Sequence, residues 1–119
     1  MNLDVSFEKK DEHLHVIASG EWLLEDVKEL FSLVREKADT IGHRKVLLDM
    51  RKVGNLSNEM DRFHTAEHAV KVFNFALTVA VLGQTHSITK MAEDIAVNRG
   101  MMLLVTGDEA EAHRWLLAQ

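Results

Sequence analysis

The feature that most constrains this chain is a regular exchange between two hydrophobic periods. Short apolar runs at Val46-Leu47-Leu48-Asp49-Met50, Ala76 to Leu82 and Met101 to Val105 are separated by stretches whose apolar residues recur at helical spacing. A short run without polar alternation fits a strand covered on both faces, as in a parallel sheet. Strands that alternate with helices pair in parallel through right-handed crossovers. Proline is absent, where average usage would place roughly six, so element boundaries fall to glycine and to polar clusters.

Ahead of these units, Leu3, Val5 and Phe7 alternate with polar residues, and Lys9-Lys10-Asp11-Glu12 makes a charged turn. His13 to Ser19 reads as a second strand, with Leu14, Val16 and Ala18 on one face, which predicts an antiparallel hairpin. Leu23, Val27, Leu30, Phe31, Val34 and Ala38 predict a helix from Leu23 to Asp39, with Trp22 as a hydrophobic staple. Gly42 is placed for a left-handed cap. A second helix is expected from Ser57 to Phe73, with Ser57 as N-cap and an inward stripe of Phe63, Ala66, Val70 and Phe73. A third runs from Ser87 to Asn98, with Ile88, Met91, Ala92 and Ile95 inward. Asp108 caps a fourth, Glu111 completes a capping box, and Ala112, Trp115 and Leu116 face the core. The order is β-β-α-β-α-β-α-β-α. It describes an α/β domain over residues 1–119: an N-terminal β-hairpin, then βα repeats, in a mostly parallel five-stranded sheet with four helices.

Composition narrows the function classes. The 119 residues carry 14 Lys plus Arg against 19 Asp plus Glu, a net charge of −5, which disfavours a nucleic-acid binder. No Cys is present, which excludes disulfides, thiolate nucleophiles and cysteine-held metal centres. No apolar stretch approaches the ~20 residues of a membrane helix, and Met1 to Glu8 has no targeting character. A cytoplasmic, soluble domain is the expectation.

Two local patterns carry a family resemblance. One is the strand Val46 to Met50 with its Asp49, followed by Arg51. The other is the acidic, Ala-rich segment Asp108-Glu109-Ala110-Glu111-Ala112-His113-Arg114-Trp115-Leu116. Together with the element order, they resemble the SpoIIAA-like family of small bacterial and archaeal proteins, of STAS type. The resemblance spans nearly the whole chain and implies a sheet of sequentially stacked βα units. It also implies a regulatory role through protein contacts. Some STAS proteins are anti-sigma-factor antagonists, phosphorylated on a Ser at the start of the second helix, and a related grouping is the Sec14-like lipid binders. Laid from Asp49, the antagonist pattern Asp-Ser-Ser falls on Ser57, Asn58 and Glu59, so the phospho-acceptor position is Asn58. Ser57 is a hydroxyl one residue early.

Three constellations could carry chemistry. His64-Thr65-Ala66-Glu67-His68 matches the H-x-x-E-H of one class of zinc peptidases, with Asp61 one turn earlier as a third ligand. A chain this short leaves little room for a dry catalytic cleft. The same helix face is therefore read as solvated or partner-facing, with Val72 and Phe75 as apolar residues beside His64 and His68. Basic residues His43-Arg44-Lys45 and Arg51-Lys52 bracket the third strand, and Arg51 and Lys52 near a helix N-terminus suit a small anion, with Gln84, Thr85, His86 and Thr106 on the same edge. No nucleophilic triad is present.

The residues thus point to a non-enzymatic binding or regulatory module that acts through protein contacts, as a homodimer or with another partner, and needs no cofactor. Its expected surface comprises Arg51, Gly54, Asn55, Ser57, Asn58, His64, His68 and Val72. The alternatives are a carrier of a small apolar ligand or lipid, a phospho-switched antagonist using Ser57, and a metal-dependent hydrolase using His64, Glu67 and His68.

Overall fold

The structure, a computed structural model, describes residues 1–54, 59–84 and 90–119, with Glu59 described for its backbone only. Its elements are β1 (Asp4–Lys9), β2 (Leu14–Gly20), α1 (Leu24–Ile41), β3 (Lys45–Val53), α2 (Glu59–Phe73), β4 (Thr78–Leu82), α3 (Met91–Asn98), β5 (Leu103–Thr106) and α4 (Glu109–Leu117). Among the described residues, five strands form one sheet in the order β1-β2-β3-β4-β5. The β1–β2 hairpin is antiparallel, with Phe7 opposite Val16, and the other three pairings are parallel. This is the α/β architecture expected from the alternating periods.

The two-residue period of β3 sorts the core. Val46 and Leu48 face α1, α2 and α3, packing with Leu30, Phe31, Val34, Ala69, Phe73 and Ala96. Leu47 points the other way, into a smaller cluster with Ala80, Leu82, Ala112 and Leu116, covered by Trp115. Helices between successive parallel strands fall on one face because each crossover has the same hand. Among the described elements, α4, which follows the last strand, is the one that covers the opposite face.

Several boundaries move, for local reasons. Strand β3 extends through Arg51 and Lys52 to Val53, beyond the apolar run, because it pairs with β2 as far as Gly20 opposite Val53. Asp49 therefore lies inside the strand and not at its end. Strand β4 starts at Thr78 instead of Ala76. Asn74 adopts φ 47° and the Ala76 N–H donates to the Phe73 carbonyl, so the chain is still turning there. Helix α1 runs on to Ile41. Gly42 then takes φ 78° and closes the helix by donating to the Ala38 carbonyl, as expected of a left-handed cap. Residues 87–89 of the expected third helix lie outside the described residues. Within α3 it is Ala96 that is fully buried, while Met91, Ala92 and Ile95 are half-buried.

The last helix keeps half of its expected cap. Asp108 Oδ1 accepts from the backbone N–H groups of Ala110 and Glu111 at 2.9 and 3.4 Å. The Asp108 N–H donates back to Thr106 Oγ1 at 3.2 Å, and not to Glu111. The open edge of β5 is also covered. The Val105 N–H donates to Glu93 Oε1 at 2.6 Å and Lys90 Nζ donates to the Val105 carbonyl at 3.1 Å. Charged side chains on an edge strand block its pairing with another chain. Replacing Asp108→Ala removes the acceptor of two helix-end amides. It should lower the unfolding free energy by about 1 kcal/mol in urea titration, with the native circular dichroism unchanged.

Candidate functional site

Parallel strands deliver their carboxyl ends to one edge of the sheet, where ligands of open α/β folds gather. Here that edge is held by a buried charge and its answer. Asp49 is 7% exposed. Two residues along the same face, Arg51 folds back on it. Nε donates to Oδ1 at 3.0 Å, Nη2 donates to Oδ2 at 2.7 Å, and the Arg51 backbone N–H donates to Oδ1 at 3.0 Å. Nη2 also donates to Glu109 Oε1 at 2.7 Å, which ties the strand to the start of α4. Gln84 Nε2 donates to the carbonyls of Arg51 and Val53 at 3.0 and 3.3 Å, fastening the far side.

Burial pushes the Asp49 carboxyl up, but the Arg51 side-chain and backbone hydrogen bonds and the guanidinium charge outweigh it, so the net shift is downward. The hydrogen bonds that Arg51 donates to the two carboxylates raise its pKa in turn, against its own desolvation. Because Asp49 is depressed in the folded chain, its contribution is present above the ordinary carboxylate range and is lost as pH falls through its folded value. Arg51 is thus answered by two carboxylates of its own chain. The second basic cluster is engaged as well: His43 Nε2 contacts the Lys10 carbonyl at 2.8 Å, Arg44 pairs with Asp39 at 3.1 Å, and Lys45 Nζ donates to the Leu117 carbonyl at 3.5 Å.

On α2 the structure redraws the expected faces. The buried stripe is Ala66, Ala69 and Phe73, while Phe63 is exposed. Val72 does not point outward. It packs against the main core, and its carbonyl accepts from Arg35 Nη1 of α1 at 2.7 Å. His68 also turns toward α1, stacking on Phe31 with centroids 6.4 Å apart and planes at 17°. His64 stays exposed, with Nδ1 4.0 Å from Glu67 Oε1, and Glu67 Oε2 pairs with Arg99 at 3.3 Å. Among the described residues, no three His, Asp or Glu side chains gather as a metal cage. The depression between His64, Glu67 and His68 is shared with Lys28, Lys71 and Arg99, whose charges oppose a cation. Asn55, Ser57, Asn58, Thr85 and His86 lie outside the described residues.

Beneath the carboxyl edge lies an apolar cavity of about 170 Å³, lined by Trp22, Phe31, Met50, Ala66, Phe73 and Val105 among others. Trp22 and Val27 share it, consistent with the staple at the start of α1. Arg62 reaches the same cavity, and its Nε is buried without a hydrogen-bond partner.

No family model matches the sequence, and no curated protein matches it either. Solved structures do. An anti-sigma factor antagonist from Mycobacterium paratuberculosis is similar with a TM-score of 0.62 and 13% identity, over 97% of this chain and 94% of that one. An uncharacterised protein with a SpoIIAA-like fold from Shewanella loihica is similar with a TM-score of 0.56 and 19% identity, over 97% of this chain and 94% of that one. The chain has the SpoIIAA-like fold. At these identities the likeness is one of architecture, and the side chains of the SpoIIAA-like carboxyl edge are this chain's own. Among the described residues, no helix of this SpoIIAA-like chain is long and apolar enough to cross a membrane.

A histidine cluster escaped the sequence reading, because its members are far apart in the chain. His13, only 6% exposed, lies 5.5 Å from His113 of α4 and 6.3 Å from His15, measured between ring centroids. Burial lowers the His13 pKa, and the charges of His113, His15, Lys10 and His43 lower it further. Burial also lowers His68, aided by Lys28 and Lys71. A histidine depressed in the folded state stabilises the fold fully above its unfolded value near 6.5 and loses that contribution as pH falls. The urea midpoint should therefore drop between pH 7.5 and 5.5, and a His13→Phe, His68→Phe double variant should flatten that slope. At the edge, Arg51→Met strands the Asp49 carboxylate. It should cost about 1–3 kcal/mol at pH 7, and the deficit should shrink toward pH 3 as Asp49 protonates.

Proposed function

We propose that this chain is a non-enzymatic regulatory module that works by binding another protein. Its fold extends over nearly the whole of an anti-sigma factor antagonist, and the start of α2, where the resemblance places the phosphorylated Ser of such antagonists, presents bare apolar side chains. Met60 is 62% exposed and Phe63 is 37% exposed. That is the observation that carries the reading: large apolar groups on adjacent turns of a solvent-facing helix are costly unless something covers them. The surface expected from the sequence is correspondingly narrowed. His68 and Val72 are taken by α1, so the proposed contact comprises Met60, Phe63 and His64, together with Gly54, Asn55, Ser57 and Asn58 at the approach to the helix.

In this reading Asn58 stands where a switched antagonist has its phospho-acceptor, so partner binding is constitutive. Ser57 is the neighbouring hydroxyl on which a kinase-switched version would rely, and a phosphate mass shift at Ser57 in cells would favour that version. A Met60→Glu, Phe63→Glu double variant places two charges on the contact without touching the buried stripe. Native mass spectrometry of protein drawn gently from its own cells should show the wild type carrying a protein partner, or a second copy of itself, and the double variant without it. A wild type that runs alone at 13.5 kDa, or a double variant that keeps its partner, would overturn the reading.

A further inference from the structure

The cavity beneath the carboxyl edge combines two features that a filled core avoids. It is about as large as a cavity that stays dry and takes up benzene, roughly 150 Å³, and among the described residues its lining is apolar apart from Arg62, Thr65 and Gln84. Close packing is the rule in protein interiors, whereas this hollow opens partly to solvent and leaves apolar side chains without close neighbours. The polar groups in the lining are not alike. Thr65 Oγ1 donates to the Asp61 carbonyl at 2.7 Å, and Gln84 Nε2 serves the β3 carbonyls. Arg62, by contrast, has a buried Nε with no hydrogen-bond partner. Arg62 as a whole is half-buried, but a buried N–H donor left unmade beside an apolar hollow is costly. It is satisfied at once by a ligand carrying an anion at one end and a hydrocarbon body at the other.

We propose that this cavity binds a small apolar carboxylate, with its ring or short alkyl chain among Phe31, Met50, Ala66 and Phe73 and its carboxylate on Arg62. A single cation matches a monoanion, and the planar guanidinium edge offers paired N–H donors in the spacing of two carboxylate oxygens. The hollow accepts a body of about benzene's size, so long-chain lipids are too large to enter whole. Trp22 lies in the lining and reports occupancy. The site shares Gly54 with the proposed protein contact but not Met60 or Phe63, so the variants that test the two readings are different.

The test uses the full chain with benzoate, phenylacetate and hexanoate as probes, and benzyl alcohol and hexanol as their uncharged counterparts. Methyl-resolved NMR follows Met50, Ala66 and Val105, and Trp22 fluorescence is read in a Trp115→Phe background. At least one acid should bind saturably, with shifts concentrated on the lining, and at least tenfold more tightly than its alcohol. Arg62→Met should erase that preference while leaving alcohol binding in place, and Ala66→Met should fill the hollow and abolish both. Lining methyls unmoved by every acid would overturn the proposal. So would equal binding of acid and alcohol by the wild type, which needs no variant to fold. An Arg62→Met protein that still prefers the acid would do the same.

Discussion

Strand β3 must be apolar on both faces, and the rest of the molecule is arranged around that need. Val46 and Leu48 demand a cover on one side and Leu47 demands one on the other. The helices between parallel strands can supply only the first, because every crossover turns the same way. The second falls to α4, the single helix that follows the last strand and is not committed to a return. The capping of α4 by Asp108 and its tether through Glu109 to Arg51 are therefore part of how the central strand stays dry.

That same strand carries Asp49 into the interior, and the carboxyl edge is built to answer it. Arg51 alone would leave a flexible cation at the rim. Held by Asp49 from the strand, by Glu109 from α4, and with its carbonyl taken by Gln84, it becomes a fixed corner joining β3, α4 and the segment that follows β4. An ionic corner of this kind is weak evidence for stability, because desolvation offsets the attraction. Its effect is geometric. It pins the edge on the α4 side, while on the α2 side the apolar hollow around Trp22 and Phe73 is left open beside Arg62. The two sides of one sheet edge thus have opposite characters: one polar and locked, the other apolar with one buried N–H donor unmade.

Much of the architecture was legible in the chain. Alternation in β1 and β2, the helical spacing of α1, the apolar runs of β3 and β4 and the cap at Asp108 each rest on nearest-neighbour chemistry, and they held to within a few residues. The candidate site was less legible. The i, i+4 spacing of His64 and His68 says that they share a side of α2, but not that the side at His68 meets Phe31 of α1. Val72 looked outward by the same spacing and packs against the main core. Phe63 looked inward and is exposed, since the stripe of α2 is set by where α1 and the sheet lie and not by the helix itself. Arg51 read as free positive density because its partners, Asp49 by a fold-back and Glu109 across 58 positions, are contacts that no local pattern announces.

The sequence by itself determined the kinds of elements, their order and their parallel pairing, because hydrophobic period and crossover handedness act locally and leave few alternatives. It also determined the chemistry that is missing, with no thiol and no basic surface excess. Tertiary structure alone decided which charges are spent and which are left over. Arg51 and Arg62 are the same residue type near the same edge, yet one is closed by two carboxylates and the other lines an apolar hollow with a buried Nε that has no hydrogen-bond partner. That difference comes from the packing of α2 and α4 on opposite sides of the sheet, a long-range consequence that no window along the chain contains.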